Sequence, residues 1–193
     1  MKLTITSNLQ ALPKVLASGN CQVVILGTGK KTFEKMVEQL DKKFPGAKGV
    51  VKFSAPLAHM ITAGADFLMV PSRFEPCGLI QLHAMQYGTV PVVSSCGGLV
   101  DTVKEGVTGF QMGAMDTDGL TPEDADACAQ TMSRAAQVFG TPQFEEMVVN
   151  CIKQDLSWAE PAKKWEGVLE EVVSGNTSGS AKKGQVQVPV AKV

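Results

Sequence analysis

The stretch Cys21-Gln22-Val23-Val24-Ile25-Leu26-Gly27-Thr28-Gly29-Lys30 decides how the rest of the chain is read. Val23 to Leu26 is apolar without alternation, the pattern of a strand covered on both faces and therefore of a parallel sheet. The run stops at Gly27-Thr28-Gly29. A helical stretch is predicted from Lys31 to Phe44, with Phe33, Met36, Val37 and Leu40 at helical spacing and Pro45-Gly46 closing it. A strand, a glycine turn and a helix in that order form one β-α unit.

The same alternation recurs downstream. Strands are predicted at Val50–Phe53, Phe67–Val70, Val90–Val93 (its Pro91 near the start, where it is tolerated) and, briefly, Thr108–Met112. Between them lie helices at Leu57–Ala63 and Leu79–Tyr87, the second stopped by Gly88, and a short one after Cys96-Gly97-Gly98-Leu99. Repeated β-α-β units imply an α/β fold: a Rossmann-like parallel sheet with flanking helices. The last third turns all-helical. Thr121-Pro122 and Thr141-Pro142 each read as an N-cap followed by proline, and Ser157-x-x-Glu160 reads as a capping box. Trp158, Ala162, Trp165, Leu169 and Val172 then repeat at helical spacing. The expected organisation is a poorly matched segment over 1–20, with a short helix at Leu9–Leu16 broken by Pro13, a domain over 21–173, and a disordered tail over 174–193 rich in Gly, Ser, Lys, Val and Gln.

Composition narrows the function. The chain has 193 residues, 44% hydrophobic and 19% charged, which excludes wholesale disorder. Its 18 Lys+Arg against 19 Asp+Glu leave a net charge of −1, the wrong balance for a nucleic-acid partner. No apolar run reaches the roughly 20 residues of a membrane helix; the longest, Ile61 to Val70, is interrupted by Gly64 and Asp66. The start Met1 to Ser7 has neither a signal-peptide core nor the Arg-rich character of a transit peptide. Cys21, Cys77, Cys96, Cys128 and Cys151 are odd in number and form no C-x-x-C pair, so they read as free thiols of a reducing compartment.

In an open parallel sheet ligands lie beyond the carboxyl ends of the strands. Three loops leave such ends: Gly27-Thr28-Gly29-Lys30, Ser72 to Gly78, and Ser94-Ser95-Cys96-Gly97-Gly98. Glycine admits close backbone approach and helix N-termini offer N–H groups to anions, so a phosphate-bearing ligand is expected. Gly-x-Gly alone is a weak signal, lacking the third glycine of a dinucleotide fingerprint. The second loop says more, because Glu75 stands at the mouth of a helix beginning near Leu79. Its carboxylate either faces sugar hydroxyls or a developing positive charge, or caps that helix. His59 and His83 sit in no nucleophile or metal pattern, and no metal is expected.

Pro71-Ser72-Arg73-Phe74-Glu75-Pro76-Cys77-Gly78-Leu79-Ile80-Gln81-Leu82 and Gly97-Gly98-Leu99-Val100-Asp101-Thr102-Val103, continued by Lys104 to Phe110, closely resemble the starch and glycogen synthase family. Leu26 to Lys31 and Asn150 to Trp158 are similar to the plant and algal granule-bound starch synthases in particular, and the likeness runs from about Leu12 to about Val173. The resemblance implies the C-terminal half of a retaining glycosyltransferase of GT-B architecture, the half that holds the donor nucleotide. Such enzymes move glucose from ADP-glucose to the non-reducing end of an α-1,4-glucan, in a plastid (chloroplast or amyloplast) and in some cases on the starch granule. The donor is a substrate, and no cofactor is expected.

Position by position, the resemblance makes Glu75 the residue that contacts the donor glucose and steadies the transition state. Cys77 and Gly78 line the glucose. The backbone N–H groups of Leu79 and Ile80 meet the distal phosphate, and Gly27, Gly29, Gly97 and Gly98 complete the substrate-binding set. Phe53 either stacks on adenine or is a core strand residue. Arg73 either orients the loop or is solvated. His83 stands where related enzymes carry a second glutamate for the ribose, a departure at that contact. The helix from Ser157 to Val173 resembles the segment that crosses back to the N-terminal domain. The Lys-x-Gly-Gly-Leu donor motif and the phosphate-clamping Arg and Lys have no match in this sequence. The polypeptide by itself is therefore expected to have little or no transferase activity. The alternative is a non-catalytic, truncated nucleotide- or glucan-binding module.

Overall fold

The computed structural model describes residues 2–5, 12–17, 21–119 and 121–174. The chain divides into two units, Met1–Gln154 and Asp155–Val193. The first is built on six strands: β1 (Lys2–Ile5), β2 (Gln22–Gly27), β3 (Ala47–Val51), β4 (Phe67–Val70), β5 (Val90–Val93) and β6 (Phe110–Gln111). They form one sheet in the order β3-β2-β1-β4-β5-β6, every neighbour parallel. From β1 the chain steps outward through β2 to β3. It then crosses back to β4, beside β1, and steps outward the other way. This is the doubly wound order, and the reversal between β1 and β4 opens a crevice at their carboxyl ends.

Expected strands and observed ones agree where the apolar run is longest. All four residues of β4 and all four of β5 are buried. The central strand is the exception: β1 comes from the segment that sequence reading left outside the domain. It is four residues long, Lys-Leu-Thr-Ile, and alternates, so it lacks the continuous apolar run used to find the others. Its place between β2 and β4 comes from pairing, with Leu3 opposite Val23 on one side and Phe67 on the other. The strand expected at Val50–Phe53 instead ends at Val51, which leaves Phe53 in the following loop.

The connecting helices are α1 (Leu12–Ala17), α2 (Lys31–Glu38), α3 (Leu40–Lys43), α4 (Ala55–Ala63), α5 (Ile80–Gln86), α6 (Gly98–Thr102), α7 (Pro122–Val138) and α8 (Pro142–Lys153). Pro13 lies in the first turn of α1, where its missing N–H is no loss, so it does not break the helix. Residues 9–11 of the helix expected there lie outside the described residues. In the predicted helix 31–44, which is split at Gln39, Val37 and Leu40 are buried while Phe33 and Met36 are exposed. Gly49 is the reason α2 can lie close to β3, since a Cβ there would overlap the Val37 carbonyl.

The two Thr-Pro starts behave as read. The Thr121 side chain accepts from Asp124 N–H while Asp124 accepts from Thr121 N–H, a reciprocal capping box; the Thr141 side chain accepts from Phe144 N–H. Below the sheet's mouth, Phe67 is fully buried and meets the rings of Phe144, Phe139 and Phe110 at 5.2, 6.3 and 6.5 Å.

The second unit contains α9 (Ala159–Val173). The capping box expected from Ser157 and Glu160 does not form: α9 starts after Trp158, the Ser157 hydroxyl accepts from Ala159 N–H at 3.2 Å, and Glu160 pairs with Lys163 at 2.7 Å. Its apolar stripe, Trp158, Trp165, Leu169 and Val172, is exposed. The tail expected over 174–193 lies outside the described residues from 175 onward.

Candidate functional site

All six strands run the same way, so the loops that follow them share one rim. Gly27 ends β2 and Thr28-Gly29 follows it, Lys52-Phe53-Ser54 follows β3, Pro71 to Leu79 follows β4, and Ser94 to Gly97 follows β5. Every residue predicted for the site therefore falls on the carboxyl rim of the sheet. Phe53 is 86% exposed there, which removes the core-strand reading.

The loop after β4 is held from beneath by the loop after β5. The Ser94 hydroxyl donates to the Ser72 carbonyl, the Cys96 thiol lies 3.3 Å from the same oxygen, and Gly98 N–H donates to the Glu75 carbonyl at 3.1 Å. The Ser72 hydroxyl in turn donates to Glu75 Oε2 at 3.4 Å, so the carboxylate of this half-buried residue is oriented by its own loop. Two glycines make the approach possible. A Cβ on Gly97 would overlap the Glu75 carbonyl and one on Gly98 the backbone of Cys77. Gly97 also adopts φ 46°, a conformation that favours glycine. Gly97 and Gly98 thus build the site by letting two main chains touch, and the Gly98 N–H is already taken by Glu75.

At the end of this loop Gly78 has φ 74°, turning the chain into α5. The first N–H groups of a helix have no partners within it. Among the described residues, no acceptor faces the N–H of Leu79 or Ile80, and the Leu79 side chain is exposed. The amides predicted to meet a phosphate are thus unpaired among the described residues. Glu75 does not cap this end: α5 has no side-chain cap hydrogen bond.

Across the switch point, Gly27 and Gly29 stand differently from Gly97 and Gly98. A Cβ on either meets nothing within 4 Å, so packing among the described residues does not require glycine at these places. Gly29 N–H donates to Glu34 Oε1 at 3.2 Å, and Lys31 Nζ reaches Glu34 Oε2 at 3.1 Å. Those two contacts hold the Glu34 carboxyl below its ordinary range.

Helix α5 presents one face to solvent and one to the interior. Leu79 and His83 face solvent, while Gln81, Ala84 and Met85 are buried. Gln81 was absent from the predicted site, and its one legible signal was the spacing of three and four residues to Ala84 and Met85. His59 on α4 and His83 on α5 have ring centroids 5.8 Å apart at a tilt of 36°, and His59 Nδ1 lies 3.0 Å from the Tyr87 hydroxyl. Asp124 was missed too. Burial opposes its ionisation, but the Thr121 and Asp116 N–H groups, the Thr121 hydroxyl and the charge of Arg73 outweigh it and hold the carboxyl below its ordinary range.

A doubly wound α/β domain with helix-start amides and an oriented carboxylate at its switch point belongs to the nucleotide-binding class of folds. Comparison with known proteins sharpens this. Residues 5–137 match the family described as glycosyl transferases group 1, and the chain belongs to that family. It is 56% identical over 181 residues to granule-bound starch synthase 1, chloroplastic/amyloplastic, of Manihot esculenta, and 58% identical over 175 residues to the protein of the same name from Solanum tuberosum. These alignments take in 92% and 89% of this chain but 29% and 28% of the relatives, so the chain spans less than a third of their length. The solved catalytic domain of starch synthase IV from Arabidopsis thaliana, bound to ADP and acarbose, superposes with TM-score 0.74 at 25% identity, covering 90% of this chain and 38% of that one.

Proposed function

We propose that this chain is the donor-nucleotide half of a starch synthase-type glucosyltransferase, moving glucose from ADP-glucose to the non-reducing end of an α-1,4-glucan. The observation that carries the reading is the loop after β4, where Glu75 and the amides of Leu79 and Ile80 stand side by side at the switch point. Breaking the bond between the anomeric carbon and the diphosphate leaves negative charge on the distal phosphate and positive charge on the sugar. Backbone N–H groups at the start of α5 suit the first and a carboxylate suits the second, and both act most strongly where water is excluded. Cys77 and Gly78 lie between these groups in sequence and line the hexose. Phe53 offers an exposed ring to the adenine, and the space above Gly27 and Gly29 admits the nucleotide.

The acceptor glucan and the remaining donor contacts belong to an N-terminal glycosyltransferase domain, which is the partner this half requires. The names of the relatives support a plastid location, chloroplast or amyloplast, and the starch granule is the proposed site of action. Calorimetric titration of ADP into the purified chain tests the donor site. Binding that is lost in Glu75→Ala titrated with ADP-glucose, and in Gly78→Val titrated with ADP, is the expected result; no binding to the wild-type chain refutes it. With ADP-glucose and a malto-oligosaccharide, the chain alone is expected to release little ADP. Turnover like that of an intact synthase would refute the assignment of the acceptor half to another domain.

A further inference from the structure

Beneath the candidate donor loop lies a side-chain network built on a fully buried amide and a half-buried hydroxyl. Gln81 is 0% exposed. Its Nε2 lies 2.7 Å from the Gly78 carbonyl, 3.1 Å from the Cys77 carbonyl and 3.2 Å from Thr102 Oγ1. Thr102 Oγ1 donates to the Gly98 carbonyl at 2.6 Å. A threonine has one hydroxyl proton, so toward Gln81 it accepts. The polarity of the whole network follows. One amide proton serves the two loop carbonyls, the other serves Thr102, and Thr102 passes its own to Gly98. The amide cannot be reversed, because its oxygen would then face two carbonyl oxygens.

The orientation has a cost that identifies its purpose. Gln81 Oε1 is buried and has no hydrogen-bond partner among the described residues, and it lies so close to Gly78 that a Cβ there would come within 2.5 Å. A buried carbonyl left unpaired is unusual and persists where the other end of the amide is needed more. The network also closes on itself. Gln81 reaches Thr102, Thr102 reaches Gly98, Gly98 N–H reaches the Glu75 carbonyl at 3.1 Å, and the chain from Glu75 returns to Gln81. The enclosed residues are those of the candidate site, Glu75 to Ile80.

We propose that Gln81 and Thr102 are positioning residues: they hold the Glu75–Ile80 segment so that the Leu79 and Ile80 N–H groups are preset for the distal phosphate of a nucleoside diphosphate. The proposal rests on the donor-site reading above. Neither side chain touches the ligand, and both act through the backbone they hold. Such pre-set donors matter because a displacement well under an ångström weakens an oriented N–H contact.

The test titrates ADP and AMP separately into the purified chain and into Gln81→Met, Gln81→Glu, Thr102→Val and Thr102→Ser, with thermal unfolding recorded for each. Gln81→Met keeps the bulk and removes the donors. Gln81→Glu sets a carboxylate against two carbonyls. Thr102→Ser keeps the hydroxyl. The expected result is a loss of at least tenfold in ADP affinity for Gln81→Met, Gln81→Glu and Thr102→Val. AMP affinity should stay within twofold, and ADP affinity should be retained in Thr102→Ser. An unchanged ratio of ADP to AMP affinity overturns the proposal, and so does an equal loss for both nucleotides, which would mean general loosening. Thr102→Val removes a single hydroxyl and carries the test should the Gln81 variants not fold. Failure of the wild-type chain to bind ADP would instead overturn the donor-site reading, a different result from wild-type binding that the variants share.

Discussion

The two pairs of glycines on the rim make opposite predictions. Alanine at position 97 must adopt φ 46°, and its Cβ falls on the Glu75 carbonyl oxygen. The backbone conformation costs about 1–3 kcal/mol and the overlap about 1–3 kcal/mol. Displacing Glu75 also loses its 3.1 Å bond from Gly98 N–H, worth about 0.5–1.5 kcal/mol. The expected loss is about 2.5–7.5 kcal/mol, a lowering of Tm by about 5–30 °C for a chain of this size. Among the described residues Gly29→Ala meets no neighbour within 4 Å, and Gly29 has no positive φ, so its stability should stay within about 0.5 kcal/mol of the parent. Its effect should appear in ADP affinity, because the added methyl occupies space proposed for the ligand. Thermal unfolding and ADP calorimetry on both variants decide the matter. Equal Tm for Gly97→Ala and the parent, or a Gly29→Ala loss as large as that of Gly97→Ala, would refute the division of the glycines into those that pack and those that leave room.

Four further outcomes follow from particular residues. Arg134 bonds Glu105 at 2.7 Å and the Gln111 carbonyl at 3.1 Å, while Glu105 accepts from Gln111 N–H, so this pair clamps the edge strand β6. Arg134→Ala should cost about 1 kcal/mol in urea unfolding, at the upper end for an exposed pair, and the difference should shrink in high salt. Thr121→Ala removes the α7 cap and should cost about 1 kcal/mol. Because the folded Asp124 carboxyl titrates below its ordinary value, its contribution is complete above the unfolded value of about 3.9 and is lost as pH falls through the folded one. Asp124→Asn should flatten the acid limb of a Tm–pH curve, and an unchanged limb would contradict the sign. Burial pushes Cys128 up to about 11 and Cys151 up to about 12, whereas Cys77 is exposed. An aromatic disulfide reagent at mildly alkaline pH should label Cys77 in the native protein and reach Cys128 and Cys151 only on unfolding, and early labelling of either buried thiol would overturn this.

Much of this was legible beforehand because several signals are local. The apolar runs of β2, β4 and β5, the Thr-Pro helix starts and the loop around Glu75 are each set by neighbours in the chain, and they lie where the sequence placed them. Features decided by partners were not legible. Nothing within Lys2–Ile5 marks it as the central strand, and for Gln81, a polar residue in a first turn, only the spacing to Ala84 and Met85 pointed inward.

The sequence by itself determined the class of fold and the loop bearing the carboxylate, since strand, turn and cap signals act over a few residues. Tertiary structure alone decided which glycines pack against backbone and which leave open space. It alone exposed Phe53 and set the amide of Gln81 under the loop. Those are contacts between residues distant in the chain, and no local pattern encodes which main chains will come within touching distance.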